Sequence, residues 1–454
     1  MLWLLLFSSI HIIYRQIIKN IYYGGLVRKI ILSIIVFVAF ACQVYASGFQ
    51  INESGSRAMG LGGAFVGLAD DPSALYFNPA GVTQLSGLRF SIGATYIKPS
   101  STFTGPSPST TESKLKDRFF YPANFYASYE AGNDFWVGLA FNDPFGLGTE
   151  WEENWVGKYR TTKTEIRTFN FSPTVAYKIN DQLSVAAGLT ISYADVIIER
   201  KIPVVVQNNP LPDAHISLEG NATSFGFNLG VLYKPVQDFS VGLAFHSSVK
   251  YDMKGDATVT LGAGTPAAYQ AAILSAMPKG SISAPLTVPY VATLGLAYHV
   301  NPGWVLVGDF QFNGWSTYDK LEVTFDDLPK GSSNPSVSER DFQNSFIARL
   351  GTEYVVNDPL ALRFGVLYDK NPVKDERLDP TLPDADRIGL NIGIGYKFTE
   401  SLSVDFAYFY LMFMERTIDN SQEAIILPNY SATVLNGKYN SNAHLIGLNI
   451  NYNL

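Results

Sequence analysis

The chain has 454 residues, of which 16% are charged and 14% aromatic, and its formal net charge is −7. This composition is too apolar for a disordered chain, and its 38 glycines, 26 tyrosines and 30 phenylalanines are too many for a helical bundle. The acidic balance disfavours nucleic acid as a partner, because nucleic-acid-binding proteins need a basic surface. The single cysteine, Cys42, excludes an intrachain disulfide and a cysteine-based metal site.

The first segment, residues 1–46, is predicted to be a secretory signal peptide. Arg28 and Lys29 precede an apolar run at 30–41, and the segment ends at Ala46, a small residue of the kind that signal peptidase requires. Charge, apolar core and cleavage site therefore stand in the order expected for export, with the mature chain beginning at the next residue.

Two alternatives for this segment stay open. Residues 1–18 could form an additional transmembrane helix, although three polar or charged side chains within them weaken that interpretation. A lipoprotein signal ending at Cys42 would need small residues before the cysteine, and Phe40 fits that pattern poorly. The stretch before the basic pair is unusual for a signal and favours a start codon near Leu26 or Val27.

The next segment, residues 47–87, is rich in glycine and small side chains and does not alternate. Its Gly-rich stretch at 60–67 lacks the third glycine of a phosphate-binding loop, and no βαβ unit follows. Its larger apolar side chains, which are numerous enough to pack, are Phe49, Ile51, Phe65, Leu75, Tyr76 and Phe77. The segment is therefore either a mobile tail or a plug inside a larger structure.

From residue 88 onward, apolar and polar side chains alternate. Between Ile388 and Phe398 the even positions are apolar, whereas the odd positions are Gly, Asn or Lys. Period two predicts β-strands, because successive side chains leave opposite faces of the backbone. The predicted strands are 88–98, 123–129, 135–142, 167–179, 183–200, 224–233, 239–251, 290–299, 304–314, 342–354, 360–369, 387–398, 402–414 and 438–453.

A soluble β-sandwich would also alternate, but three features favour a membrane barrel. The strands run to about ten residues, which a tilted strand needs to cross a bilayer, whereas strands of soluble proteins average nearer six. Tyrosines near the ends of the apolar faces suit the boundary between lipid and water: Tyr177, Tyr233, Tyr298, Tyr354, Tyr396 and Tyr452. Short turns also alternate with long polar connections at 201–223, 252–289 and 315–341, as in bacterial outer-membrane barrels.

The predicted fold class is therefore all-β, a transmembrane antiparallel β-barrel of about 14 strands formed by residues 88–454. A barrel of this size leaves a lumen to be filled. Residues 47–87 are accordingly predicted to be an N-terminal hatch, or plug, inside the lumen. The predicted location is the bacterial outer membrane.

Several stretches, in their order along the chain, resemble the FadL family of outer-membrane long-chain fatty acid and hydrocarbon transporters. They are Ser47-Gly48-Phe49-Gln50-Ile51-Asn52-Glu53, Ala69-Asp70-Asp71, Asn78-Pro79-Ala80, Pro144-Phe145-Gly146-Leu147-Gly148-Thr149-Glu150, Trp155-Val156-Gly157-Lys158-Tyr159, Trp315-Ser316 and Leu382-Pro383-Asp384-Ala385-Asp386-Arg387. Together they span nearly the whole chain after the signal. The resemblance implies a fourteen-stranded barrel that is closed by the hatch and encloses a hydrophobic ligand path.

The resemblance also implies a set of ligand-binding residues. They are Phe49, Ile198, Arg200, Leu218 and Arg340. A fatty acid needs an apolar slot and a cation for its carboxylate, and Arg200 matches the arginine that supplies this cation in the family. Ser338 stands where the family has a second, cationic partner, and Arg340 is close enough to substitute for it. Without the resemblance, Arg200 could equally be an exposed arginine at a strand end.

The hatch and gating residues implied by the resemblance are Asn78, Pro79, Ala80, Phe145, Gly146 and Asp369. In the family, an inward kink of the third strand opens a side passage through which cargo leaves laterally. Pro144 removes a ladder donor and Gly146 permits a bend, so the residues themselves allow such a break. A strand end followed by a turn explains the same residues.

No catalytic or metal site is predicted. The five histidines have no metal-ligand spacing, no G-x-S-x-G motif occurs, and no cofactor is expected. The predicted function is passive uptake of hydrophobic compounds, most of all long-chain fatty acids, through a hatch-gated barrel with lateral exit. The alternatives are an aromatic-hydrocarbon channel and a structural or adhesive barrel. The expected partners are a hydrophobic small molecule, outer-membrane lipid and the barrel assembly machinery.

Overall fold

A computed structural model describes residues 48–106, 108–328, 333–427 and 432–454. The predicted signal peptide and its two alternatives lie outside the described residues.

The described residues form fourteen antiparallel strands, each hydrogen-bonded to the next. Their bounds are β1 (Leu88–Thr104), β2 (Ala123–Gly132), β3 (Phe135–Asn142 and, after a break, Gly146–Glu150), β4 (Lys163–Lys178), β5 (Leu183–Val206), β6 (Asn209–Val236), β7 (Phe239–His246 and Val249–Thr260), β8 (Lys279–Val288 and Val291–Asn301), β9 (Trp304–Asn313 and Lys320–Asp327), β10 (Ser345–Asn357), β11 (Leu360–Asp369), β12 (Arg387–Lys397), β13 (Leu402–Phe413) and β14 (Gly437–Asn453). β14 pairs with β1, for example at Phe90 and Tyr452, so the sheet closes on itself. The predicted fourteen-stranded barrel is confirmed.

Short elements accompany the barrel. The helices are α1 (Ser56–Gly60), α2 (Ala74–Phe77) and α3 (Ala267–Ser275), with 3-10 turns at Pro79–Gln84, Trp315–Thr317 and Asp375–Arg377. Short strands lie at Glu112–Lys114, Ser336–Glu339, Arg416–Ile418, Ala424–Ile426 and Ala432–Val434. In the described part of the chain, no helix has both the length and the apolar character needed to cross a membrane.

The two faces of the strands differ as the alternation predicts. Along β12 burial alternates residue by residue, and the exposed positions are apolar, such as Ile392, which is 55% exposed. The six tyrosines predicted to form a girdle are all exposed on the outer face. An apolar exposed belt is stable in lipid rather than in water, which is the arrangement of outer-membrane barrels.

The long polar connections predicted at 201–223, 252–289 and 315–341 contain much strand, so the predicted strands were too short there. β5 has 24 residues and β6 has 28, and they are joined by a two-residue turn in which Gln207 and Asn208 have φ of 50° and 64°. Residues 252–289 contain further strand together with α3, and 315–341 contain the last segment of β9. Both faces of such a hairpin meet water or another loop beyond the bilayer, so its sequence need not alternate.

Residues 48–87 lie inside the barrel and bond to inward-facing side chains of the wall. The Asp309 carboxylate accepts hydrogen bonds from the backbone N–H groups of Phe65 and Val66 at 2.8 and 3.0 Å. Ser56 donates through its backbone N and Oγ to Asn449 at 2.9 and 2.8 Å. Since β9 and β14 are well separated in the wall, the segment is held from more than one side.

Candidate functional site

The third strand is broken at residues 143–145, and the start of the hatch pairs with this break. Ile51 N donates to Pro144 O at 2.8 Å, and Gly146 N donates to Phe49 O at 2.9 Å. Gln50 and Phe145 therefore face each other as in a short antiparallel pair. The hatch therefore provides hydrogen-bond partners for two backbone groups at the break in β3, Pro144 O and Gly146 N.

A cavity of about 560 Å³ adjoins this break and extends to the ends of β11 and β12 and to the inner face of β13 and β14. A drug-sized ligand occupies a pocket of roughly 300–1,000 Å³, so the cavity is of suitable size. Most of its lining is apolar and includes Phe49, Phe145, Ile166, Leu382, Phe409, Leu411 and Leu445. The cavity is therefore able to hold an apolar molecule of moderate size.

Aromatic rings gather where the hatch meets the break. The ring centroid of Phe49 lies 4.7 Å from Trp315, 6.1 Å from Phe145 and 6.0 Å from Tyr318, in edge-to-face arrangements. Phe342 packs against Trp315 at 5.8 Å. The structure thus brings together Phe49 and Phe145, which the sequence analysis named separately.

Ile198 and Leu218 lie elsewhere. They face each other across β5 and β6, and they line a separate groove of about 60 Å³ whose walls are almost wholly apolar. Val196 of β5 and Met253 of β7 also line this groove, and so does Ile166, which lines the larger cavity as well. The groove is one continuous apolar surface, but neither Ile198 nor Leu218 lines the larger cavity.

The two predicted carboxylate-binding arginines differ in their surroundings. Arg200 is exposed on β5, opposite Ile216, and does not line the larger cavity. Arg340 is buried, and its Nη1 lies 3.0 Å from Asp379 Oδ2. Asp379 also pairs with Arg160, whose Nε lies 2.6 Å away. Arg340 is therefore already neutralised by a carboxylate of the chain itself.

Electrostatics keeps Asp379 ionised. Burial by itself would raise the pKa of the Asp379 carboxyl, but the guanidinium groups of Arg160 and Arg340 outweigh burial and hold that pKa well below its usual range. Glu423 pairs with Arg160 as well, at 2.5 Å. These groups belong to different extracellular connections, so the ion pairs tie those connections together.

Asp369 is buried at the end of β11 and acts on the hatch through a neighbour. Its Oδ2 lies 3.6 Å from Nη1 of Arg387, and Arg387 donates through Nη2 to Gly48 O at 2.7 Å. Asp384 holds the same guanidinium at 2.5 Å. Asp384 and Arg387 lie in one of the stretches that resemble the family, but Arg387 was not predicted as a site residue; its spacing of three from Asp384 is the signal that could have found it.

The Asn-Pro-Ala stretch fixes the hatch against the wall. The Asn78 amide is fully buried and donates from Nδ2 to Val66 O at 2.9 Å and to Val231 O at 3.0 Å. Its Oδ1 accepts from Ala80 N at 3.3 Å, at the start of the 3-10 turn that Pro79 begins. A Cβ at Gly230 would stand 2.5 Å from Asn78 Oδ1, so glycine is needed for this close approach.

A charged network that sequence reasoning missed ties the hatch to the periplasmic end of the wall. Arg57 donates to Glu353 at 2.9 Å and to Asp70 at 2.7 Å. Arg363 lies between Glu353 and Asp405, at 2.5 and 2.6 Å. Residues of this network lie up to 296 residues apart in the sequence, as Arg57 and Glu353 do, so no local sequence pattern could reveal the network. Over the described ranges, no three His, Cys, Asp or Glu side chains are grouped so as to hold a metal ion.

A closed barrel with an apolar outer belt, a bonded interior segment and an apolar cavity beside a wall break defines a plugged outer-membrane transport barrel. The sequence comparison agrees with this class. The chain belongs to the outer membrane protein transport protein family (OMPP1/FadL/TodX), whose model matches residues 37–454. Its location is accordingly the outer membrane.

Two curated relatives cover nearly the whole chain. The long-chain fatty acid transport protein of Escherichia coli O6:H1 is 28% identical over 442 residues, covering 90% of this chain and 95% of the relative. Outer membrane protein P1 of Haemophilus influenzae is also 28% identical, with the same coverage of 90% and 95%.

Solved structures share the fold. A FadL homologue of Pseudomonas aeruginosa superposes with a TM-score of 0.78 at 21% identity, over 90% of this chain and all of the other. The Pseudomonas putida toluene transporter TodX gives a TM-score of 0.69 at 18% identity, over 91% of this chain and 99% of the other. The predicted family is confirmed, and these structural matches support the barrel fold.

Proposed function

We propose that this protein admits long-chain fatty acids and similar hydrophobic molecules across the outer membrane by passive diffusion, and releases them sideways at the break in β3. The names of its curated relatives favour fatty acids as cargo. The observation that carries the proposal is the apolar cavity of about 560 Å³ that joins the hatch to the interrupted wall. A purely structural or adhesive barrel would not need such a cavity.

The direction of exit follows from what lies beneath the cavity. Gln311 donates to Gln50 at 3.0 Å and accepts from Arg349 at 2.8 Å, and all three side chains are buried. An apolar molecule moving straight toward the periplasm would break this layer and leave buried polar groups unpaired, at a cost of about 1–3 kcal/mol for each group. The break in β3 avoids that cost, because the lipid outside is apolar.

The residues predicted from the sequence take the following roles in this proposal. Phe49 and Phe145 contact cargo in the cavity, while Ile198 and Leu218 form an apolar groove nearer the outside. Arg200 is the proposed first contact for a carboxylate. Arg340 would serve that purpose only if Asp379 were displaced, so we assign it a role in holding the outer connections.

The remaining hatch and gate residues divide between anchoring and movement. Asn78, Pro79 and Ala80 anchor the hatch segment 47–87, and Asp369 restrains its start through the arginine that it pairs with. Gly146 closes the break by bonding to the hatch. We propose no catalytic role and no cofactor; the other partners are outer-membrane lipid around the apolar belt and the assembly machinery that inserts barrels.

A second cargo class, aromatic hydrocarbons, is favoured by one observation. The edge-to-face cluster around Phe49 and Trp315 offers the packing that an aromatic ring prefers. One of the solved structures named above is a toluene transporter, TodX of Pseudomonas putida, which is consistent with this class. Replacing Arg200 with Ala distinguishes the two, since it should weaken fatty-acid uptake and leave toluene uptake unchanged.

A reversible crosslink tests the proposed gate. Gln50 and Phe145 stand directly opposite each other in a pair that exchanges no hydrogen bonds itself, and such pairs have Cα atoms about 4.5 Å apart, within the range that a disulfide spans. The double variant Gln50→Cys with Phe145→Cys should block uptake of radiolabelled oleate when oxidised and recover it on reduction.

The two single-cysteine variants under the same oxidant are the matched controls, because they lose the same side chains but form no crosslink. Cells that lack the protein give the background of uptake. If the oxidised double variant transports oleate as fast as the reduced one, the hatch does not gate at this break and the proposed exit is wrong.

A further inference from the structure

The larger cavity, of about 560 Å³, is lined by more acidic than basic side chains. Its charged lining residues are Glu53, Asp143, Glu165, Asp369, Asp384, Arg118, Arg167 and Arg387. Five carboxyl groups therefore face three guanidinium groups. This balance is unexpected for a cavity whose cargo would be an anion, because a carboxylate needs a cation at its end.

Each of the three guanidinium groups is already engaged by a carboxylate. Arg118 Nη1 lies 2.9 Å from Glu165, and Arg167 Nη2 lies 2.8 Å from Asp195 on β5. Arg387 is held between two acids and also donates to the backbone of the hatch. A cargo carboxylate would have to displace a carboxylate of the chain to reach any of them.

In the part of the chain that is described, one donor of the lining, Arg118 Nη1, has an ion-pair partner in Glu165 but no aligned hydrogen bond, whereas two carboxylate oxygens of the lining have no donor at all. Oδ1 of Asp143 and Oδ2 of Asp384 are buried without a hydrogen-bond partner among the described residues, and Asp384 is only 1% exposed. Burial also raises the pKa of Glu53, in the hatch, to about 7, against the lowering influence of the neighbouring backbone N–H groups and of Arg349 and Arg387. The cavity thus resists further negative charge and is complementary to a group that donates a hydrogen bond.

We propose that this cavity selects hydrophobic molecules whose polar end is uncharged and donates a hydrogen bond, namely long-chain alcohols and carboxylic acids in their protonated form, and that it excludes carboxylate anions. This inference rests on the proposed function, since it defines the chemical form in which cargo passes the same cavity. Arg200 can still attract the anion outside, because it does not line the cavity.

Competition binding tests the inference on the purified full-length barrel in detergent. Dodecanoic acid and 1-dodecanol, which have the same chain length, are each used to displace an uncharged fluorescent alkyl probe at pH 5.5, 7 and 8.5. Affinity for the acid should fall by about tenfold for each pH unit above the carboxyl pKa, because only the protonated form binds. Affinity for the alcohol should change by less than about threefold over the same range.

Charge variants separate an electrostatic effect from a steric one. Asp143→Asn and Glu53→Gln keep the side-chain shape and remove one acid each, so at pH 8.5 each should raise the ratio of acid to alcohol affinity by about tenfold. Asp117→Asn is the matched control, because Asp117 is exposed outside the cavity beside Lys98 and its loss should leave the ratio unchanged. Using the ratio cancels partitioning into the detergent.

Two results would overturn the inference. If dodecanoate at pH 8.5 displaces the probe as well as the alcohol does, or if the cavity variants match Asp117→Asn, the cavity accepts carboxylate anions and the proposed function stands without the selectivity. If neither compound displaces the probe at any pH, the cavity does not bind cargo, and the proposed function fails together with the inference.

Discussion

Removing the Asn78 side chain should release the hatch. Asn78→Ala deletes two hydrogen bonds that the amide donates, to Val66 O and Val231 O, and one that it accepts from Ala80 N. One of these bonds joins the hatch to the wall at β6, and the other two hold the shape of the hatch itself. Asn78, Val66 and Ala80 are buried and Val231 is half-buried, so the lost amide is poorly replaced by water.

The expected size of the effect on release follows from the one bond that crosses to the wall, from Asn78 Nδ2 to Val231 O. This bond contributes a net 1 kcal/mol or so. Since about 1.4 kcal/mol is a factor of ten in an equilibrium constant, the population with a released hatch should rise roughly fivefold. Asn78→Asp, which has the same shape, should be at least as damaging, because it sets a carboxylate oxygen against two carbonyl oxygens and supplies no donor.

Single-channel conductance in planar bilayers measures this directly, as the fraction of time for which the barrel passes ions. Asn209→Ala is the control, because Asn209 is exposed at the tip of the β5–β6 hairpin and makes only a local bond of 3.3 Å. If Asn78→Asp conducts like the unaltered protein while Asn78→Ala does not, lost volume rather than lost hydrogen bonding holds the hatch. If neither variant differs from the control, the Asn-Pro-Ala stretch does not anchor the hatch.

Two further predictions concern the inner and outer ends of the same barrel. Gly365→Ala should also raise conductance, because the added Cβ would stand 2.1 Å from the backbone N of Gly62 and force the hatch away from β11. Unchanged conductance would mean that the hatch can shift without opening the barrel. The pKa of Asp379 lies below its usual value beside Arg160 and Arg340, so its ion pairs stabilise the outer connections above about pH 4 and are lost as the pH falls further. The protection of residues 370–386 against hydrogen exchange, corrected for the intrinsic exchange rate at each pH, should therefore fall in acid, and in Asp379→Asn it should be low at every pH. An unaltered protein whose corrected protection does not change in acid would contradict this.

Side-chain alternation was enough to predict the barrel. Alternation is a local property, so the strands at 135–142 and 360–369 could be placed to the residue, and the outward tyrosines follow from the same period of two. The residues at 144–146 allowed a break in β3, because a proline cannot donate to the ladder, but a strand end followed by a turn explained the same residues. The predicted strands were too short where they extend beyond the bilayer, because lipid no longer imposes an apolar face there.

The pairing of charged side chains could not be predicted before the fold was known. Arg340 was expected to be available to a carboxylate, yet it is paired with Asp379, 39 residues further along, and Arg387 reaches the carbonyl of Gly48 from a distance of 339 residues. Such pairs depend on barrel closure and on how the hatch packs in the lumen, which bring distant segments together. No periodicity records those contacts, so the charge balance of the cavity, and with it the proposed selectivity, emerges only from the folded chain.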